Sequence, residues 1–147
     1  MTIGHIASGT MPRAEPPSRV LVVDDEPAIG TTLAELLAPD NQVVAVQTAR
    51  EALTRLREDD RFDVIFCDVF MPQMSGIDLY HCLRVELPGL ERRIVFMSGG
   101  VFTSSMASFL ASVDNRRIEK PFSLGLIERI VRDMTRSRAR GTGASRA

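Results

Sequence analysis

Four strand-like segments of this chain each end next to a polar residue, and three of the four are short apolar runs. The segments and the residues after them are Val20–Val23 with Asp24 and Asp25, Val64–Cys67 with Asp68, Ile94–Met97 with Ser98, and Arg117–Glu119 with Lys120 and Pro121. Apolar runs rich in Val, Ile and Phe are typical of strands buried on both faces of a parallel sheet. The predicted strands are Arg19–Val23, Gln42–Val46, Asp63–Cys67, Arg93–Met97 and Arg116–Glu119.

Apolar residues at helical spacing lie between these strands and after the last one, and they predict five helices. Pro27 suits the first turn of the first helix, and Thr48 with Glu51 forms a capping-box pattern before the second. Gly76 opens the third helix, an apolar stripe marks the fourth, and Ser123 can cap the last. Strands that alternate with helices indicate βα units, and right-handed crossovers then cover both faces of the sheet. The predicted fold class is α/β, a doubly wound (βα)5 with a five-stranded parallel sheet.

The two ends of the chain lack this alternation. Residues 1–18 are rich in Pro, Gly and Ser without periodicity, and they are expected to form a disordered arm. Residues 136–147 are rich in Arg, Gly and Ser and are expected to form a disordered, solvated tail. The predicted domain therefore covers residues 19–135.

Composition excludes several classes of protein. A hydrophobic fraction of 44%, a charged fraction of 25% and a net charge of −1 are typical of an ordinary globular domain. No apolar stretch approaches the ~20 residues of a membrane helix, and no secretory pattern opens the chain. Two cysteines make neither a disulfide framework nor a metal site, and Cys67 is expected to be a reduced core residue. We expect a cytoplasmic protein.

The polar residues at the strand ends carry the chemistry. Ligands of parallel sheets bind beyond the carboxyl ends of the strands, where this fold would gather Asp24, Asp25, Asp68, Ser98 and Lys120. Three carboxylates, a hydroxyl and an ammonium group can together bind a divalent cation and a phosphoryl group. No single residue of the set would support that interpretation.

Four motifs in this order resemble the response-regulator receiver domain of the CheY-like superfamily. They are Val-Asp-Asp-Glu-Pro at 23–27, Asp-Val-Phe-Met-Pro-Gln-Met-Ser-Gly at 68–76, Ser-Gly at 98–99 and Lys-Pro-Phe at 120–122. The resemblance covers Arg19 to about Thr135 and implies a flavodoxin-like sheet of strand order 2-1-3-4-5. The implied roles are phosphoacceptor for Asp68, Mg²⁺ ligands for Asp24, Asp25, Asp68 and the backbone carbonyl of Phe70, phosphoryl contacts for Ser98, Gly99 and Lys120, and a cis peptide bond before Pro121.

Each of these residues also has a simpler interpretation. Asp24 or Asp25 alone could cap the first helix, and Asp68 could be an ordinary turn residue. Ser98 and Lys120 could be a loop serine and a solvated lysine. The complete set in order favours the site, and a cap is compatible with a metal ligand.

Two positions depart from the family pattern. Many receivers carry Tyr or Phe where this chain has Arg117, so the aromatic readout is replaced and Arg117 is expected to belong to a polar output surface. Residues 112–117 replace the usual Gly-Ala stretch, as in receivers at the ends of hybrid histidine kinases. About a dozen residues follow the last predicted helix, which is too few for an output domain.

The resemblance implies a single-domain response regulator that takes a phosphoryl group from a histidine kinase or histidine phosphotransfer protein. Signalling would then run through a downstream protein target, with no specific DNA binding despite the C-terminal arginines, and with no membrane. Such a protein catalyses only its own phosphorylation and dephosphorylation. Alternatives are a separated C-terminal receiver of a hybrid kinase, a Mg²⁺-dependent phosphohydrolase with Asp68 as nucleophile, and a binding module that is never phosphorylated.

Overall fold

The strands form one parallel sheet, as the sequence predicts. The computed structural model describes residues 17–146, and the side chains of residues 17–138. The strands are β1 (Ser18–Val23), β2 (Asn41–Val46), β3 (Val64–Asp68), β4 (Ile94–Ser98) and β5 (Arg117–Glu119). Their spatial order is β2-β1-β3-β4-β5, with every pairing parallel. The doubly wound, flavodoxin-like fold class and its strand order are confirmed.

Five α-helices connect or follow the strands. They are α1 (Pro27–Leu37), α2 (Ala49–Glu58), α3 (Gly76–Glu86), α4 (Ser104–Ser112) and α5 (Leu124–Arg146), and a 3₁₀ turn covers Leu90–Arg93. None of the helices within residues 17–146 combines the length and the hydropathy needed to cross a bilayer.

Side chains at the helix starts account for several of these bounds. The Ser75 hydroxyl accepts the Asp78 N–H and the Asp78 carboxylate accepts the Ser75 N–H, which completes a capping box at α3. At α2, Thr48 accepts the Glu51 N–H, but the Glu51 carboxylate accepts the N–H of Gln47 rather than that of Thr48. The predicted capping box at Thr48 is therefore only half formed, because Glu51 accepts the N–H of the residue before the N-cap instead of that of the N-cap itself.

The core has two layers, one on each face of the sheet. Alternate strand residues point to opposite faces, so Leu21, Ile65 and Phe96 pack with α2, α3 and α4 on one face. Val22 and Phe66 pack with α1 and α5 on the other. The central strands β3 and β4 are buried throughout, whereas β2 and β5 form the edges, and only Ile118 of β5 is buried. Cys67 is a free, buried core cysteine, as expected.

An aromatic cluster joins α3 to α4. The Tyr80 ring lies edge-on to Phe109 at 5.1 Å between ring centroids and 6.3 Å from Phe96 of β4. His81 packs on the same Phe109 ring at 5.3 Å. His81 is exposed on its helix.

The ends of the ordered fold differ from the sequence prediction. Ser18, assigned to the N-terminal arm, opens β1, and its hydroxyl lies 2.8 Å from that of Thr135. The rest of the predicted arm, residues 1–16, lies outside the described residues. The last helix does not end at Thr135 but continues to Arg146 through the segment predicted to be a disordered tail. The Arg138 guanidinium, 3.0 Å from the buried Asp63 carboxylate, gives this extension a tertiary contact.

Candidate functional site

Three carboxylates meet at the carboxyl ends of the central strands. Asp24 and Asp25 directly follow β1, and Asp68 is the last residue of β3, its neighbour in the sheet. One oxygen from each of these three side chains lies within 4.8 Å of the other two. The parallel β1–β3 pairing brings together residues more than forty positions apart in sequence.

Lys120 supplies the cation that holds two of these carboxylates. Its Nζ donates to Asp24 Oδ2 at 2.7 Å and to Asp68 Oδ2 at 3.2 Å, and Glu26 Oε1 lies 3.9 Å away. Burial lowers the pKa of Lys120, but the hydrogen bond to Asp24 and the charges of Asp68 and Asp24 outweigh burial and raise it. Lys120 is therefore a fixed positive charge at the site.

Asp68 has the opposite electrostatic environment. Desolvation by burial raises its pKa, although the Phe70 N–H at 3.1 Å from Oδ1 and the Lys120 ammonium both act to lower it. The negative charge of Asp24 adds to the rise. Burial thus disfavours the ionised form of Asp68, and a further cation would stabilise that form.

Asp24 and Asp25 are not equivalent. The two oxygens of buried Asp24 are both engaged, Oδ1 by the Glu26 N–H at 2.9 Å and Oδ2 by Lys120. The Asp25 side chain is exposed. The N-cap of α1 is Glu26, which makes no side-chain cap bond, so neither aspartate is the cap that the simpler interpretation suggested.

The donor set fits a hard divalent cation. Mg²⁺ takes oxygen ligands in octahedral geometry and keeps several waters, and the clustered Asp24, Asp25 and Asp68 oxygens offer such ligands. Lys120 alone does not neutralise three carboxylates. The exposed Asp25 can offer its oxygens directly, whereas Asp24 is already held by Glu26 and Lys120.

Ser98 and Gly99 complete the rim of the site. Ser98 ends β4 and is buried, and its carbonyl accepts the Lys120 N–H at 2.8 Å, which ties β4 to the residue after β5. Gly99 is exposed, and a Cβ built there would meet nothing within 4 Å. The Lys120–Pro121 peptide bond is cis.

Phe70 and Arg117 both face solvent. Phe70 follows Asp68 by two residues and is 68% exposed, so its ring stands at the entrance rather than in the core. Arg117 pairs with Phe96 in the β4–β5 register and therefore points to the sheet face that α4 covers. Its side chain is exposed on the edge strand.

Sequence reasoning quoted Gly76 but missed what it does. A Cβ at this position would overlap the backbone carbonyl of Asp68 and lie 3.2 Å from Cys67 Sγ. The start of α3 therefore packs directly against the backbone of the central aspartate. Glu26, whose carboxylate approaches Lys120, was also missed; its place directly after the acidic pair was the available signal.

Comparisons with known proteins agree with this architecture. A family model of the response regulator receiver domain matches residues 20–132. The chain is 33% identical over 108 residues to the probable transcriptional regulatory protein TcrX of Mycobacterium tuberculosis, an alignment that covers 74% of this chain and 45% of that protein. The chain thus spans less than half the length of this relative.

Solved structures show the same fold. The chemotaxis protein CheY4 of Vibrio cholerae is 24% identical, with a TM-score of 0.69 over 80% of this chain and 98% of that one. The receiver domain of sensor histidine kinase PA1611 from Pseudomonas aeruginosa, solved with a magnesium ion in its active-site cleft, is 22% identical, with a TM-score of 0.69 over 81% and 98%. With the family match over residues 20–132, these findings identify the chain as a member of the response regulator receiver domain family of two-component signalling.

Proposed function

We propose that this domain accepts a phosphoryl group on Asp68 from a phosphohistidine of a histidine kinase or phosphotransfer protein. One observation carries the proposal: Lys120 bridges Asp24 and Asp68 while a third carboxylate, Asp25, lies in the same cluster. A carboxylate is a competent phosphoryl nucleophile. Two further carboxylates beside the buried Asp68 are electrostatically unfavourable, because like charges repel, and a bound cation would offset that repulsion.

The transfer balances without any further reactant. A carboxylate oxygen of Asp68 forms a bond to phosphorus while the bond from phosphorus to the donor's imidazole nitrogen breaks, and the electron pair stays on that nitrogen. Lys120 pairs with one phosphoryl oxygen and offsets the charge that develops there, and the Ser98 hydroxyl donates a hydrogen bond to a second phosphoryl oxygen. The Phe70 N–H holds the Asp68 carboxylate in position. Positioning and electrostatics are the main needs of phosphoryl transfer.

Asp24, Asp25, Asp68 and the Phe70 carbonyl would hold Mg²⁺. When bound, the cation supplies charge neutralisation for an anionic nucleophile that approaches an anionic phosphoryl group. The raised pKa of Asp68 supports this need, since burial disfavours the isolated carboxylate.

The output of the domain would be a change of protein–protein contacts on the face formed by α4, β5 and α5. Lys120 links Asp68 to the residue after β5, so an acyl phosphate that draws Lys120 away from Asp24 biases the position of β5. Arg117 would present a positive charge to a partner carboxylate there. The same chemistry would serve a relay or sink role as the receiver of a hybrid kinase.

Labelling tests the proposal. Acetyl phosphate with Mg²⁺ should add about one phosphate mass (~80 Da) to the intact chain, and Asp68→Asn should abolish the adduct. Asp40→Asn is the matched control, because Asp40 is an exposed aspartate in the loop between α1 and β2. Equal labelling of Asp68→Asn and the wild type would contradict the assignment. Sustained turnover of p-nitrophenyl phosphate would instead support a phosphohydrolase.

A further inference from the structure

A recess lies at the end of the sheet opposite to Asp68. It is a groove of about 910 Å³, lined by residues that precede the strands, among them Asp63, Arg93 and Arg116. A five-residue strand spans about 16 Å, so the groove is separated from the carboxylate cluster by the length of β3. A volume of this size is in the range of small-molecule sites, about 300–1,000 Å³.

Arg138, which lines the groove, has a buried donor without an acceptor among the described residues. Arg138 Nη1 donates to Asp63 Oδ1 at 3.0 Å, but its Nε is buried and donates to no acceptor among the described residues. Asp63 cannot serve this Nε readily, because its second oxygen already accepts the Arg19 N–H at 2.8 Å. Buried polar groups are rarely left unpaired, and each one costs stability. The Arg138 guanidinium therefore keeps hydrogen-bonding capacity that the described residues do not use.

Positive charge dominates the lining. The groove has five arginines (Arg84, Arg92, Arg93, Arg116 and Arg138) and three acidic residues (Asp63, Glu91 and Asp114). Arg93 donates to the neutral carbonyl of Phe62, and neither Arg84 nor Arg93 forms a salt bridge within residues 17–138. Burial and the nearby charge of Arg138 lower the pKa of Arg93. The guanidinium groups of Arg93 and Arg138 therefore lie near each other in a partly desolvated space, and both oxygens of the nearby Asp63 are already engaged.

One wall of the same groove is aromatic. Tyr80, His81 and Phe109, the cluster that joins α3 to α4, all line it. Inorganic phosphate would contact the arginines but leave this aromatic wall unoccupied. The lining therefore matches an anion that carries a ring.

We propose that the groove binds a small aromatic oxyanion, with phosphate or carboxylate oxygens on Arg138 and its neighbouring arginines and the ring against Tyr80 and Phe109. Arginine forms charge-assisted hydrogen bonds in a planar fork that suits both oxyanions. The groove is independent of the phosphoacceptor chemistry, because none of its lining residues belongs to the Asp68 cluster.

Titrations of the Mg²⁺-free protein, followed by the NMR signals of arginine Nε–H groups, test the proposal with four probes. Phenyl phosphate and benzoate share a ring and differ in the anion, inorganic phosphate lacks the ring, and benzyl alcohol lacks the charge. One of the two aromatic anions should saturate the Arg138 signal at least about tenfold more tightly than inorganic phosphate or benzyl alcohol. Whichever of the two binds more tightly identifies the anion.

Three variants locate the site. Arg138→Lys keeps the ion pair to Asp63 but removes Nε–H, and it should weaken binding about tenfold or more. Arg84→Gln removes an exposed charge of the lining without touching the core and should weaken binding several-fold. The control is Arg129→Lys, because Arg129 is an exposed arginine of α5, the helix of Arg138, and lies outside the groove; this variant should bind as the wild type does. Unchanged affinity in both groove variants, or no saturable shift with any probe, overturns the proposal. Acetyl phosphate labelling of Asp68 in Arg138→Lys reports separately on the proposed function.

Discussion

Replacing Gly76 by alanine tests how closely the start of α3 fits against the phosphoacceptor strand. The new methyl group would overlap the backbone carbonyl of Asp68 and press on the Cys67 sulfur. The carbonyl is part of the main chain and cannot rotate away as a flexible side chain would. Relief requires either that α3 move outward or that the end of β3, which carries Asp68, shift, and both movements loosen the packing around Asp68.

The expected change in the free energy of unfolding follows from two opposed effects. Alanine in place of glycine favours a helix by about 1 kcal/mol at most. Forcing a methyl group into a packed space costs about 1–3 kcal/mol, and the rigid carbonyl puts this position at the upper end. The free energy of unfolding should therefore fall by about 2 kcal/mol, which for a domain of this size is a fall in Tm of roughly 8 °C.

Urea unfolding of wild type and variants measures this difference. Gly125→Ala is the matched control, because Gly125 lies in the first turn of α5 and a Cβ there meets nothing within 4 Å. It should be neutral or slightly stabilising. Gly76→Ala should also label more slowly with acetyl phosphate, since the packing that positions Asp68 is loosened. A Gly76→Ala protein as stable as Gly125→Ala, with wild-type labelling, would refute the close fit.

Three further predictions concern the carboxylate cluster. Lys120→Met should bind Mg²⁺ more tightly but label more slowly, because the ammonium competes with the metal yet stabilises the phosphoryl oxygens; weaker Mg²⁺ binding by calorimetry would contradict this. Asp25→Ala should weaken Mg²⁺ binding more than Asp24→Ala, because Asp24 is already held by Glu26 and Lys120; the reverse ranking in a titration would count against the ligand assignment. In the Mg²⁺-free protein the Asp68 carboxyl should take up its proton at a higher pH than an exposed aspartate such as Asp40, since burial raises the pKa of Asp68. A carboxyl-carbon NMR titration in which Asp68 and Asp40 protonate together would contradict this.

The sheet and its cluster could be predicted from sequence because the signals are local. Val64–Cys67 is a strand by its apolar run alone, and once parallel order is assumed, the residue after each strand must lie at one edge. The meeting of Asp24 with Asp68 then follows from topology. Their proximity does not depend on side-chain conformation.

Contacts between distant parts of the chain could not be predicted in the same way. The last helix continues past Thr135 while Arg138 reaches Asp63, which is 75 residues earlier, and no local pattern encodes that pair. The fit of Gly76 against the Asp68 carbonyl likewise depends on the angle between a helix and a strand. The half-formed box at Thr48 shows a different, local limit, because backbone geometry decides which of two adjacent N–H groups the Glu51 carboxylate accepts.

The aromatic cluster between α3 and α4 gives the molecule an intrinsic optical probe. The chain has one tyrosine and no tryptophan, so its emission in the tyrosine band comes from Tyr80 alone. That ring lies edge-on to Phe109 of α4, 5.1 Å between centroids, and beside Phe96 of β4. Any displacement of α4 relative to α3 alters the packing of this one fluorophore. Tyrosine emission and near-ultraviolet circular dichroism can therefore follow that helix in the unlabelled protein, in real time and without an engineered reporter.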